Sequence, residues 1–538
     1  MRSVRLAVVY DTGAASPLEL SLLAARYAPM AVIVGDSPHA AAMMPMFAEF
    51  DHVTTLAGAG VEVGGVVPTL AGADLSADGV VTFSERMLVP TAVLAERLGL
   101  PFHTPDVAAL LTDKHRQREA LDAAGVTPVR HRPLTDPARW PEAVAHTGLP
   151  AVVKPRHGEA SRDTHLLRDE AQAAAILPGL PPGAFVLEEY LQGRPEPNFG
   201  DYVSVECVAA AGTVTALAVT GKFRILPPFR ETGGFWPSHL SDTEQDEVAA
   251  LAVAAVEALG VTTGLSHVEI KLTPSGPRII EVNGRLGGGI AELAHRAAGL
   301  DLLDLAARVA LGETPPVRRA RPDRVYFQHN TVAPEQPCTV TAIHGIAAVS
   351  ATPGVHRIRP FVRPGERLPG GVHTHELDML TGDAADHAEM IRILDTALTE
   401  LAYELDGSRL YSAPRLDGAR SPDVAWGVDS PPGLDGAPSF ENASLVDGAS
   451  SLDGASLVDG APRVDAASDV DDAVHVDAAS HVDDLSCLDD ASCPGDASCL
   501  DDASCPGDAS CLDDGSRVHG MPDGDGASQV DGAWRASR

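Results

Sequence analysis

Two strand-like stretches carry glutamates that folding should press together. HVEIKL and RIIEVN, within residues 267–289, alternate their side chains and are rich in Val and Ile, the pattern of half-buried strands. Between them TPSGP, residues 273–277, reads as a turn. A hairpin folded about Ser275 sets Glu269 opposite Glu281. Directly opposed residues have Cβ atoms roughly 4.5–5.5 Å apart, and like charges there destabilise the sheet. Alternation adds Lys271, Asn283 and Arg285 to the same surface. Hard oxygen donors of this kind suit Mg2+, which keeps waters and takes one or two carboxylates plus phosphate oxygens. The competing interpretation is a solvated polar face with Lys271 and Arg285 as counterions. The continuation NGRLGGG, residues 283–289, would let backbone N–H groups approach a bound anion.

The elements that must hold this hairpin alternate in kind. VRLAVVY (4–10), AVIVG (31–35) and GVVTFSE (79–85) read as strands, with helix-like stretches from Pro17 to Ala28 and in VPTAVLAERLG. This alternation predicts a Rossmann-like parallel α/β domain over 1–105. No G-x-G-x-x-G follows its first strand, so it reads as a scaffold without a nucleotide of its own. A helix over 106–127 is expected to end at Gly125, with Thr112 or Asp113 able to cap an end or start a turn. PAVVKPRHGEASRDTH then gives a short strand, Lys154 and a polar loop, and FVLEEYLQG a strand running into a linker. YVSVECVAAAGTVTALAVTGKF reads as a hairpin turning at Ala211 and Gly212, with Cys207 in its core. An Ala-rich helix spans 243–259, and a helix after Gly289 continues to about Leu311. The fold class is therefore α/β and α+β multidomain, with a central domain over 106–315 and a small α+β subdomain over 316–412.

Residues 413–538 are different in kind. From Ser421 onward 25 Asp and Glu face four Arg and no Lys, a net −21 of the chain's −35. Acidic residues recur every six positions, and CLDDASCPGDAS repeats verbatim. Low bulk and high charge make this low-complexity acidic tail a disordered segment on first reading, with a hexapeptide β-solenoid as the rival. The charge balance argues against nucleic acid or an anionic membrane surface as a partner. No stretch of about 18–20 apolar residues is present. MRSVRLAVVYDTG does not read as a signal peptide, which makes the cytoplasm the default location. Only Cys207 and Cys338 lie outside the tail, so no disulfide framework is expected there.

HVEIKLTPSGPRIIEVNGRLGGG resembles the metal-binding hairpin of the ATP-grasp superfamily, and among its members the carboxylate–amine ligases that include the L-amino acid ligases. TFSERMLVPTAVLAERLGLP, LLTDKHRQREALDAAGVTPV, PAVVKPRHG, LEEYLQG, VTGKF and ETGGFWPSHL occur in the order that family shows, over about residues 1–410. The resemblance implies an ATP-grasp fold and an ATP-dependent ligase. It implies that Lys114 and Lys154 hold ATP phosphates, and that HGEASRD (157–163) is a mobile loop over them with Ser161 as a donor. Glu159 and Asp163 depart from the family's glycine-richer loop. Glu188 would meet the adenine amine, the backbone from Glu189 to Leu191 would flank the ring, and Asp201 or Glu196 would take the ribose. Glu269, Glu281 and Asn283 would hold Mg2+, with Mn2+ as the alternative ion. Lys222 would lie near the triphosphate, and Arg285 would meet the substrate carboxylate or the transferred phosphoryl group.

The reaction so implied phosphorylates a carboxylate to an acyl phosphate, which an amine attacks to give an amide, ADP and phosphate. FRILPPFRETGGFWPSHL is expected on the substrate side, with Glu231 holding an amino group or a metal and Phe229, Phe235, Trp236 and His239 shaping the pocket. The partners are then a small-molecule carboxylate and amine, and the family suggests a homodimer. A carboxylase working through carboxyphosphate is the enzymatic alternative. No biotin-attachment segment of the A-M-K-M kind is present. An ATP-binding regulatory or scaffold protein acting through its acidic tail is the alternative of another class. Under the ligase reading residues 1–412 suffice for catalysis.

Overall fold

The computed structural model describes residues 2–57, 69–70, 75–407, 409–413 and 416. The described residues fall within one compact unit. The tail's expected disorder or solenoid lies outside the described residues.

The N-terminal strands Arg2–Tyr10, Met30–Val34, His52–Ala57 and Leu75–Thr82 pair in parallel, and Thr69–Leu70 joins the edge antiparallel. The first strand lies between its successor and Leu75–Thr82, so the connections reverse direction there. Open α/β sheets bind ligands in the crevice that such a reversal leaves. Here the chain fills that crevice with its own backbone. Ala14 N–H donates to Phe83 O at 2.8 Å, and Ser84 Oγ to Thr12 O at 2.5 Å. A Cβ on Gly13 would lie 2.2 Å from Phe83 O.

Two antiparallel sheets carry most of the chemistry-bearing residues. The small one runs His131–Pro133, Phe185–Glu189, Ala151–Pro155, His165–Leu167. The large one runs Gly276–Asn283, Gly264–Thr273, Tyr202–Ala210, Thr213–Lys222, Gly233–Trp236, Val325–His329, Asp378–Ala384, Val355–Pro360. The helix Asp242–Ala258 buries Val248, Ala249, Ala252, Ala255 and Val256 against the hairpin strands. Ser241 and Glu244 close its N-terminus as a capping box.

Several boundaries differ from expectation. The subdomain expected over 316–412 is not detached, because Gly233–Trp236 pairs with Val325–His329 and extends the large sheet across the boundary. Leu416 is buried in the same core as Tyr403 and Leu394, and its N–H donates to the Asp395 carboxylate at 2.7 Å, so 412 is too early an end. The helix expected over 106–127 is two, Pro105–Thr112 and Lys114–Ala123, because Asp113 leaves helical geometry and caps the second. Gly299, at φ +62°, likewise divides the expected long helix into Ile290–Ala298 and Leu302–Ala310.

One buried carboxyl ties the extended sheet to the rest of its core. Asp378 accepts from the Tyr403 hydroxyl at 2.7 Å and from Thr331 N–H at 3.2 Å. Burial, only partly offset by these bonds, pushes its carboxyl from 3.8 to about 6. The neutral form is therefore favoured by folding. Its contribution is full below the unfolded value near 3.8 and lost as pH rises through about 6. Wild-type melting temperature is expected to fall between pH 4 and 7 by more than that of Asp378→Asn, and parallel curves would contradict this.

Candidate active site

The two sheets face each other across an open cleft. The hairpin register is Glu269 opposite Glu281, as its alternation requires. The turn is tighter than expected. Thr273 pairs with Gly276, and the extra residue is absorbed by a bulge at Ile280, which restores the register before Glu281. Glu269, Lys271, Glu281, Asn283 and Arg285 all line the cleft.

Each carboxylate has its own cation. Lys114 Nζ lies 2.9 Å from Glu281 Oε1 and donates to Gly158 O at 2.7 Å. His267 Nε2 lies 3.7 Å from Glu269 Oε1, while its Nδ1 meets Glu206 Oε1 at 2.5 Å. Burial disfavours the charged imidazole, yet Glu206 and Glu269 outweigh it and raise His267 to about 9. Burial likewise raises Glu269, but the His267 bond and nearby cations win and hold it at about 2. Lys114 also pays a desolvation penalty and is still raised, chiefly by Glu281.

The opposite wall holds a buried triad. Glu188 takes Arg118 at 3.2 and 3.0 Å and Lys154 at 3.1 Å. Burial would raise its carboxyl, but the two cations depress it to about 2. The same burial lowers Lys154 despite Glu188. Glu188 faces the cleft with its carboxylate held by these cations. Arg118 was not singled out from sequence, although it stands four residues after Lys114 and shares its helix face.

Ser161, Glu189 and Leu191 line the cleft, as do Glu231 and Phe229. The Glu189 carboxylate accepts from Arg130 Nε at 2.9 Å. Lys222 lies one step back, 3.8 Å from Glu231 Oε2. Phe235 and Trp236 are core residues rather than pocket walls, at 0% and 1% exposure. His239 stacks on Phe199 and pairs with Glu196 at 3.2 Å, and Glu196 is also held by Arg194 at 2.6 Å. Asp201 pairs with Lys271 at 2.6 Å. Neither expected ribose acid is among the cleft-lining residues.

Two of the three glycines, Gly287 and Gly289, have a packing cause. A Cβ at Gly287 would lie 2.4 Å from His267 Nδ1, and one at Gly289, already at φ +70°, 2.7 Å from Gln328 Oε1. Residues 286–289 are not among the residues lining the cleft, which end at Arg285. The N-terminal domain also reaches in, unforeseen. Glu85 lies 3.2 Å from Arg285 Nε, and Arg86 3.2 Å from Glu159. Burial lifts the Glu85 carboxyl to about 7, against the lowering effect of Arg285.

Residues 111–289 match the family model described as the ATP-grasp domain. This region is an ATP-grasp domain. Human carnosine synthase 1 is 30% identical over 277 residues, 46% of this chain and 32% of that protein. Alanine–anticapsin ligase from Bacillus subtilis (strain 168) is 28% identical over 253 residues, 43% of this chain and 53% of that protein. The match thus spans only about a third to a half of these relatives' lengths. The L-amino acid ligase structure from Bacillus licheniformis superposes with TM-score 0.60 at 20% identity, over 75% of this chain and 99% of that one, and shares the fold. No helix among the described residues is long and apolar enough to cross a membrane.

The donor set accords with a hard cation shared with a ligand. No group of three or more His, Cys, Asp and Glu forms a protein-only metal site among the described residues. Two carboxylates and an amide leave places for water and phosphate oxygens, the habit of Mg2+. Glu188→Ala would leave Arg118 and Lys154 buried without their counterion. A loss of about 3–5 kcal/mol is expected in denaturant unfolding, with Glu188→Gln losing less. Wild-type stability in Glu188→Ala would refute the triad's structural weight.

Proposed function

We propose that the chain is an ATP-dependent carboxylate–amine ligase that joins an amino-acid carboxylate to an amine through an acyl phosphate, releasing ADP and phosphate. The observation that carries this reading is the convergence of Glu269, Glu281, Asn283, Lys114, Lys154 and Arg285 on one cleft. Relatives named for ligating alanine with anticapsin and for synthesising carnosine direct the substrate search toward amino acids.

Lys154, pinned by Glu188, offers a fixed positive charge to the phosphates. Lys114 sits between Glu281 and the loop at Gly158 and supplies a second. Ser161 donates from the loop, and the backbone from Glu189 to Leu191 flanks the adenine. Glu269, Glu281 and Asn283 would hold Mg2+, or Mn2+ in its place, which when bound neutralises polyphosphate charge. Arg285, steadied by Glu85, meets the acid's carboxylate, since a guanidinium fork matches carboxylate and phosphoryl oxygens alike. The acid oxygen attacks the γ-phosphorus and ADP leaves. The amine then attacks the acyl carbonyl and phosphate leaves. Oxide is too poor a leaving group for direct attack, whereas phosphate is a good one. Glu231, with Lys222 behind it, forms the far wall and pairs with the substrate's ammonium. Positioning and charge neutralisation account for the rate, and no enzyme nucleophile takes part.

ADP release by the purified protein with magnesium, across a matrix of amino acids and amines, is expected only with a specific acid and amine together. Glu281→Ala is expected to reduce it by about a hundredfold or more. Release with bicarbonate alone would replace this reading with a carboxylase. Release unaffected by Glu281→Ala would remove the hairpin from the mechanism.

A further inference from the structure

Two loops with no regular structure border the cleft, and one residue outside the ATP-grasp match holds both. The first is the phosphate-side loop, where Ala160, Ser161 and Asp163 have φ of +57°, +54° and +53°. Such backbone persists only where surrounding contacts enforce it. The second is the acid-side segment around Phe229 and Glu231. Between them runs the segment 372–376, itself anchored by Ala333 N–H to His375 O at 2.8 Å and by a β-bridge from Glu376 to Val332. It grips the first loop through its backbone: Asp163 N–H donates to Val372 O, and Thr374 N–H to Ala160 O, both at 3.1 Å. It grips the second through a side chain, because Glu231 N–H donates to Thr374 Oγ1 at 3.1 Å. Thr374 thus spends its amide on one loop and its hydroxyl on the other.

We infer that Thr374 is a positioning residue that orders the acid-side segment together with the phosphate-side loop, so that nucleotide binding presets the pocket for the acid. The inference rests on the proposed reading that the first loop covers ATP and the second faces the acid. Any ligand that favours the closed phosphate-side loop fixes Thr374, and Thr374 fixes the amide of Glu231. The side chain set nearest Lys222 is then in place before the acid arrives. Coupling of this kind is reciprocal, so an acid that orders Glu231 also favours the closed phosphate-side loop.

Amide hydrogen exchange with Mg2+ and the non-hydrolysable nucleotide AMPPNP tests it without knowledge of the acid. In the wild-type protein the nucleotide is expected to slow exchange in both 158–164 and 229–233. Thr374→Val keeps the shape and the backbone N–H but loses the oxygen. It is expected to keep the slowing at 158–164 and to lose it at 229–233, where exchange runs about three- to tenfold faster, as the loss of one hydrogen bond implies. Thr374→Ser, which restores the oxygen, is expected to behave as wild type. Thr374→Ala serves if the valine variant does not fold. Undiminished slowing at 229–233 in Thr374→Val or Thr374→Ala would overturn the coupling while leaving the nucleotide site intact. If AMPPNP slows 158–164 in no variant, the nucleotide reading falls and the coupling with it.

Discussion

Glu269 and Glu281 face each other across a hairpin, and the surrounding structure is arranged around that repulsion. Two carboxylates at this spacing cannot both stay ionised in a half-buried cleft without nearby positive charge. The fold supplies it from three directions: Lys114 from the helix Lys114–Ala123, His267 from the same strand with Glu206 behind it, and Arg285 just past the hairpin. On the facing wall the sign is reversed, with one carboxylate, Glu188, held between Arg118 and Lys154. The cleft therefore has an anionic floor and a cationic roof, each locally compensated. A polyphosphate with a divalent cation is complementary to both. In the proposed reading, its phosphates would take over Lys114 while the cation takes over Glu281.

This arrangement explains why the chemistry cannot be separated from the domains around it. Glu85 and Arg86 directly follow Phe83 and Ser84, which close the N-terminal sheet's own crevice, and they steady Arg285 and Glu159. Thr374 comes from the far side, on the segment that leads into Asp378–Ala384, a strand that extends the large sheet. The fragment 111–289 alone would lack both supports.

The hairpin pair was legible in the sequence because period-2 alternation and a Pro-Ser-Gly turn constrain which residues oppose. The bulge at Ile280 was not, because one added residue in the turn and one in the strand give the same pairing at Glu281. The glycine run was legible as a need for close approach but not as to what approaches: His267 and Gln328 lie twenty and thirty-nine residues away from Gly287 and Gly289 respectively. Glu188 was found, but its commitment to Arg118 depends on a contact seventy residues distant. Phe235 and Trp236 looked like pocket walls because aromatic residues near a polar loop fit that role equally well, and only the strand pairing with Val325–His329 shows them turned into the core. The pairing across residue 316 was hidden for the same reason, since its partners are far apart in the chain.

Calorimetric titration of ATP into the wild-type protein and into Glu269→Gln/Glu281→Gln, each with and without Mg2+, tests the charge account most directly. Wild-type affinity is expected to depend strongly on Mg2+, and the double variant, its floor neutralised, is expected to bind ATP with little dependence on the ion. Equal Mg2+ dependence in the two proteins would contradict it, because the opposed glutamates would then not be the site at which the cation acts.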